Sequence, residues 1–252
     1  MLYSQTLEKL RALRLEGMAD ALEEQRRQAN ITELDFEDRL ALLVERQWLW
    51  KENRGLAARL KKARFKINAT LEDLDYPAAR GLKRAQIDQL RASPWVHHHR
   101  NCLITGPTGS GKTHLACALG HQACREGHRT LYFYAPKFFR ELETARADGR
   151  LFQLLKTLAR TALVVIDDLG IATVSGKLYR EFLEMLDDRH GQGATLLTSQ
   201  FPVQQWPEII GDATVADAIL DRLVHNAYRL ELKGESMRKS KTPPAESRGA
   251  GP

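Results

Sequence analysis

The residues best suited to chemistry stand in one run, Gly106-Pro107-Thr108-Gly109-Ser110-Gly111-Lys112-Thr113, of the form G-x-x-x-x-G-K-[ST]. Glycines at this spacing let backbone amides converge on phosphate oxygens, and a helix starting directly after the loop adds the partial positive charge of its N-terminus. In such a loop Lys112 reaches the β- and γ-phosphates and the Thr113 hydroxyl ligates Mg²⁺. The flanks agree: Asn101-Cys102-Leu103-Ile104-Thr105 predicts a short buried strand, and Thr113-His114-Leu115-Ala116-Cys117-Ala118-Leu119 a helix start. A glycine-rich turn matching by chance would need neither flank. The chain is therefore expected to bind ATP or a similar nucleotide with Mg²⁺.

A second set of polar groups fits the same site. Leu163-Val164-Val165-Ile166 ends in Asp167 and Asp168. Asp167, at the strand's tip, is expected to hold Mg²⁺ through water, and Asp168 to orient or deprotonate an attacking water. Aspartate is one methylene shorter than the more usual glutamate, which suits slow hydrolysis, as in a switch. Paired aspartates can also simply begin a turn. Thr198-Ser199-Gln200 closes a strand expected beside that of Asp167, either to touch the γ-phosphate or water, or as an ordinary strand-end turn. Arg222, on a helical segment, either reaches a neighbouring subunit's γ-phosphate or pairs with Asp221.

Positioning these groups takes alternating strands and helices, and the chain from Asn101 has that texture. Further strands are predicted over Thr130 to Tyr134, Leu163 to Asp168, Ala194 to Gln200 and Tyr228 to Leu232, with helices from Pro136 and near Leu178 to Arg189. Five short apolar strands separated by helices predict an α/β fold with a parallel sheet covered on both faces. Residues 1–70 differ. Leu7, Leu10, Met18 and Leu22, then Phe36, Leu40, Leu43, Val44 and Trp48, recur at helical spacing, with a break at Ala29-Asn30-Ile31-Thr32 and Asp35 as N-cap. The expected organisation is a small all-α N-terminal domain over 1–70, a linker over 71–100 containing Asp73-Leu74-Asp75-Tyr76-Pro77 and a helix-like Ala85 to Leu90, and a core over 101–238. Residues 239–252, rich in Pro, Gly, Ser and charge, are expected to be a disordered tail.

Lys and Arg number 38 against 32 Asp and Glu, and the resulting charge of +6 favours a polyanionic partner without specifying one. The excess concentrates in Arg54, Arg59, Lys61, Lys62, Arg64 and Lys66, where Arg59, Lys62 and Lys66 are expected on one helix face. The run lacks the glutamates of a salt-bridged face, which favours DNA-backbone contact over a plain solvated surface. Cys102, Cys117 and Cys124 have no metal-ligand spacing and fall in predicted core elements, as reduced packing residues do. His97-His98-His99 cannot all face one metal from a strand or helix and reads as a polar linker. Charged residues among the first leucines argue against a signal peptide, and no apolar run approaches membrane-spanning length. A cytoplasmic, nucleoid-associated protein with no membrane partner is expected.

Together these residues resemble the AAA+ ATPases, and within them the IstB-type ATP-binding helpers of insertion-sequence transposases, with the DnaC helicase loaders as near relatives. The likeness covers nearly the whole chain. It rests on Leu42-Leu43-Val44-Glu45-Arg46, Ala57 to Phe65 and Thr70 to Asp75 in the leader. In the core it rests on Gly106 to Thr113, Asp167-Asp168-Leu169-Gly170, Thr198-Ser199-Gln200, Asp221-Arg222-Leu223 and Gly234-Glu235-Ser236-Met237-Arg238, in the family's order. The resemblance implies an AAA+ P-loop core with a five-stranded parallel sheet. It makes Asp167 the Walker-B acid, Asp168 the catalytic acid, Ser199 or Gln200 the sensor-1 group, Arg222 an arginine finger and Arg238 a nucleotide sensor. Many AAA+ proteins end in a helical lid, for which Lys239 to Pro252 is too short.

The resemblance also implies assembly in the ATP state on duplex DNA, largely without regard to sequence, as a ring or spiral. The assembly would deform the DNA and present it to a cognate transposase, and ATP hydrolysis would loosen it. Lys137 and Arg140, on the helix after the second strand, join the candidate DNA contacts. The alternative within the family is a loader that binds single-stranded DNA and a replicative helicase; the longer basic leader and the Thr-Ser-Gln ending favour the transposition helper. A small-molecule kinase would leave the Asp167-Asp168 pair and the basic leader without purpose. A scaffold that never hydrolyses its nucleotide is kept open by aspartate at position 168.

Overall fold

A computed structural model describes residues 2–74, 76, 81–92 and 94–234 of the chain. They divide into two units, Met1–Ala58 and Arg59–Pro252. The division falls earlier than the expected boundary at residue 70.

The first unit is helical, as its apolar spacing predicts. It comprises α1 (Leu2–Ala12), α2 (Glu16–Arg27), a 3₁₀ turn over Ala29–Glu33 and most of α3 (Phe36–Ala63). The leucines from Leu7 to Leu22 do not form one helix, because Arg14 takes a left-handed backbone with φ of 60° and separates α1 from α2. Asp35 caps α3 as expected, its carboxylate accepting from the Asp38 amide at 2.8 Å. Gly17 sits where α2 meets α3. A β-carbon there would stand 2.8 Å from the Arg46 carbonyl oxygen, the Gln47 Cα and the Trp50 Cβ.

The second unit is built on five parallel strands: β1 (Asn101–Thr105), β2 (Thr130–Tyr134), β3 (Leu163–Leu169), β4 (Ala194–Ser199) and β5 (Ala227–Glu231), in the order β2-β3-β4-β1-β5. Strand parity explains the layers. Cys102, Ile104, Leu163, Val165, Ala194 and Leu196 face one side, where α4 (Arg84–Arg91), α5 (Pro94–His97) and α6 (Lys112–Arg125) pack. Leu103, Val164, Ile166 and Leu197 face the other. There α7 (Ala135–Ala147), α8 (Leu151–Ala159), α9 (Gly176–Arg189), α10 (Trp206–Ile210) and α11 (Ala213–Val224) cover the sheet.

The segment expected to link the domains is part of this core. Leu71, Leu74, Leu82, Ile87, Leu90, Trp95 and Val96 are buried with the β1 and α6 residues. Their apolar side chains come in clusters too short to show a long period, which is why the segment reads as a junction in sequence. Asp75 and Pro77 lie outside the described residues, as do Arg238 and the tail over 239–252. The described residues end just past β5, and no helical lid stands among them. No helix among them is long and apolar enough to cross a membrane. All three cysteines are free and buried, as expected of packing residues. His97 closes α5, while His98 and His99 are exposed after it.

Alanine in place of a helix-interior glycine ordinarily stabilises by roughly 1 kcal/mol. Gly17→Ala is expected instead to destabilise the helical unit by about 1–3 kcal/mol, because its methyl group meets α3 backbone and side-chain stems that cannot swing away. Urea unfolding followed by far-ultraviolet circular dichroism measures the sign directly.

Candidate nucleotide site

The phosphate loop joins the end of β1 to α6, and two of its glycines are there for backbone reasons. Gly106 has φ of 147°, and a β-carbon on it would collide with the Leu232 carbonyl, where the chain leaves β5 beside the loop. Gly111, with φ of 90°, is the residue from which α6 starts. Lys112 is buried, and its ammonium donates to the Gly106 and Pro107 carbonyls at 2.8 and 3.0 Å. Burial pulls its pKa below the usual lysine range, opposed by the charges of Asp168 and Asp167.

Asp167 is the centre of the site. It lies on β3 with no solvent exposure, on the same parity as Leu163 and Val165, so it faces α6. Three hydroxyls donate to its carboxylate: Thr113 at 2.9 Å to Oδ2, Tyr132 at 2.7 Å to Oδ2, and Thr198 at 2.6 Å to Oδ1. Burial, then the neighbouring Asp167 charge, drive the Tyr132 phenol far above its usual range, so it keeps the proton it donates. β3 runs to Leu169, one residue beyond the strand expected over Leu163 to Asp168, so Asp167 is not at its tip. The register with β4 slips between Ile166 and Leu169, and Asp168 takes a left-handed backbone with φ of 64°. By parity Asp168 would face the opposite layer. The slip and the positive φ, a conformation that costs a non-glycine residue about 1–3 kcal/mol, break that alternation, and the Asp168 charge acts on Lys112 together with that of Asp167. The Asp168 amide donates to the Thr198 hydroxyl at 2.8 Å, which secures that bend.

Thr113 and Asp167 present hard oxygen donors to one another, as a Mg²⁺ site does before the phosphates complete it. Among the described residues there is no group of three or more His, Cys, Asp or Glu side chains that could hold a metal by themselves.

The profile of the IstB-like ATP binding proteins matches residues 8–245. The chain belongs to that family. The insertion sequence ATP-binding protein y4pL of Sinorhizobium fredii is 46% identical over 240 residues, covering 95% of this chain and 98% of the relative. The ATP-binding protein of insertion sequence IS21 from Pseudomonas aeruginosa is 33% identical, covering 91% and 86%. Among solved structures, DnaI superposes with a TM-score of 0.56 at 24% identity over 66% of this chain and 92% of its own. The DnaC helicase loader does so at 0.51 and 22%, over 66% and 97%. Fold and family therefore agree with the expected AAA+ P-loop core of an IstB-like protein.

Sequence motifs miss one of the three hydroxyls on Asp167, that of Tyr132, and leave open which member of Thr198-Ser199-Gln200 is used. Ser199, named beforehand, turns to the Leu169 carbonyl at 2.8 Å and receives the Phe201 amide at 3.1 Å. Gln200 meets the Thr108 hydroxyl of the phosphate loop at 2.9 Å. Thr198, one residue earlier, is the member of that run that reaches the acid; strand parity and the pairing of β4 with β3 identify it once the register is known.

Arg222 is not among the converging groups. The main-chain carbonyls of Arg222 and Leu223 accept from Asn101 at the start of β1, the opposite end of that strand from the phosphate loop and roughly 15 Å along it. Its guanidinium pairs with Asp187 at 2.6 Å and Asp221 at 2.7 Å.

The basic residues divide. Arg59 points inward, donating to the Cys124 carbonyl at 2.7 Å, and α3 stops at Ala63, so Lys66 does not share its helix face with Arg59 and Lys62. Arg64, with φ of 57°, turns the chain there. Arg54 stacks on the Trp50 ring. Lys61, Lys62, Arg64 and Lys66 are exposed. The Lys66 ammonium lies 5.0 Å from the centre of the Tyr134 ring, at the start of α7, the helix on which Lys137 and Arg140 are exposed one turn apart.

Thr198→Val keeps the shape of the side chain but strips a donor from Asp167 and an acceptor from the Asp168 amide. The expected loss is about 2–4 kcal/mol of stability and about tenfold or more in ATP turnover. Ser199→Ala is expected to cost stability while turnover by the folded protein stays near wild type. Thermal denaturation and a phosphate-release assay on both variants separate the two hydroxyls.

Proposed function

We propose that the protein is an ATP-hydrolysing helper of transposition, which assembles on duplex DNA in the ATP state, deforms it and recruits or activates a cognate transposase. Hydrolysis then loosens the assembly. The observation that carries this reading is the separation of Arg222 from a site that otherwise gathers Lys112, Thr113, Asp167 and Asp168. Lys112 neutralises the β- and γ-phosphates, Thr113 and Asp167 hold Mg²⁺, and Asp168 orients the attacking water, with Gln200 alongside and Ser199 bracing the end of β4. Arg222 completes the neighbour's site, so the nucleotide links one copy to the next and its phosphate state controls assembly. Arg238 is proposed as a nucleotide sensor.

Relatives that cover nearly their whole length with this chain are proteins of insertion sequences, which supports a transposase as the partner over a replicative helicase. Lys61, Lys62, Arg64 and Lys66, with Lys137 and Arg140, form the proposed contact to DNA phosphates, while Arg59, bonded to the Cys124 carbonyl, braces the end of α3 behind them. Such contact is weakly sequence-specific and steeply salt-dependent.

With ATP and duplex DNA together, wild-type particle mass is expected to rise to a multiple of the monomer and hydrolysis to rise with it. In Arg222→Ala turnover should fall by about a thousandfold or more. Light scattering and phosphate release measured on the same samples decide the matter. A wild type that stays monomeric and hydrolyses ATP regardless of DNA contradicts the reading, and assembly on single strands in preference to duplex points to a loader.

A further inference from the structure

Tyr132 belongs to none of the motifs that carry the site, yet its hydroxyl lies on the acid at their centre. A carboxylate with no solvent exposure must have its lone pairs satisfied by donors, and Asp167 has three. The three are not equivalent once a nucleotide enters. Thr113 lies 2.9 Å from Oδ2 and 3.2 Å from Oδ1, and as a ligand of the ion it would loosen its hold on Asp167 once the ion is bound. Thr198 holds the other oxygen, Oδ1, and is also tied to the Asp168 amide. Tyr132 would then be the donor left on Oδ2, the oxygen that Thr113 approaches more closely.

Its ring is fixed for that task. Phe65 meets Tyr132 edge to face, with centroids 6.2 Å apart and planes at 66°. Phe65 in turn fills the space against Gly120 of α6, where a β-carbon would run into its ring. A phenol has little freedom beyond its ring, so a wedged ring fixes the position of its oxygen.

We infer that Tyr132 is a positioning residue for the Mg²⁺ site: its hydroxyl holds the Asp167 carboxylate so that one oxygen stays turned to Thr113 and the incoming cation. This rests on the proposed ATP·Mg²⁺ reading of the site. Partners of this kind, one step out from the metal, commonly change metal affinity ten- to a hundredfold when removed.

The test is a Mg²⁺ titration of the binding of a fluorescent ATP analogue to the full chain, with thermal denaturation of the same samples. In Tyr132→Phe, which keeps the ring and loses only the hydroxyl, the Mg²⁺ concentration giving half of the metal-dependent gain in binding is expected to rise about ten- to a hundredfold. Tyr132→Leu should show the same rise together with a lower melting temperature, since it also abandons Phe65. A Mg²⁺-dependent wild type whose constant is matched by Tyr132→Phe overturns the role of Tyr132 alone, whatever Tyr132→Leu does. A wild type whose nucleotide binding ignores Mg²⁺ overturns the metal reading and the role of Tyr132 with it.

Discussion

One buried carboxylate ties the second unit together. Asp167 on β3 accepts hydroxyls from α6, from β2 and from β4, so the phosphate loop's helix and two flanking strands are referenced to a single point. Removing a carboxylate from water is tolerated only when its oxygens are bonded, and the cost of breaking such a set is borne by the whole arrangement. The sheet order supplies the geometry. β4 lies between β1 and β3, which puts Thr198 beside Asp167 and within one strand of the phosphate loop. The slip in register just past Ile166 and the left-handed backbone of Asp168 break the alternation that would send two consecutive aspartates of an unbroken strand to opposite faces.

Much of this is local information and legible in the chain. The loop over Gly106 to Thr113, the strand that precedes it and the aliphatic run into Asp167 each carry their meaning in a few consecutive residues, and the structure has the five strands near their expected places. What is not local stays hidden. Tyr132 becomes a partner of Asp167 through strand pairing across more than thirty residues of sequence, and no motif marks it; within the Thr198-Ser199-Gln200 run, only the register shows that Thr198 is the member on the acid. Arg59 looks like part of a basic face until the Cys124 carbonyl captures its guanidinium. The stretch from Leu71 to Val96 reads as a junction because its buried residues sit in pieces too short to reveal a period, although they complete the layer over α6.

The fold also separates two charges that the proposed chemistry needs together. Lys112 is held by the phosphate-loop carbonyls at the C-terminal end of the sheet, whereas Arg222 stands near the start of β1, tethered by Asp187 and Asp221. A second copy that brings its arginine to this site would turn nucleotide binding into adhesion between subunits, and hydrolysis into release. The exposed cations at the end of α3 and on α7 would then repeat around an assembly, and repetition converts individually weak phosphate contacts into a firm hold on DNA.

The most direct measurement mixes two crippled forms, Asp168→Asn and Arg222→Ala, in the presence of ATP and duplex DNA. Each alone should hydrolyse ATP poorly, the first for want of its own acid and the second for want of its neighbour's arginine. If sites are completed between subunits, mixed assemblies contain intact sites made from the Arg222→Ala copy's acids and the Asp168→Asn copy's arginine, and phosphate release rises well above the sum of the separate proteins. A mixture that gives only that sum contradicts the account and places the whole reaction within one chain.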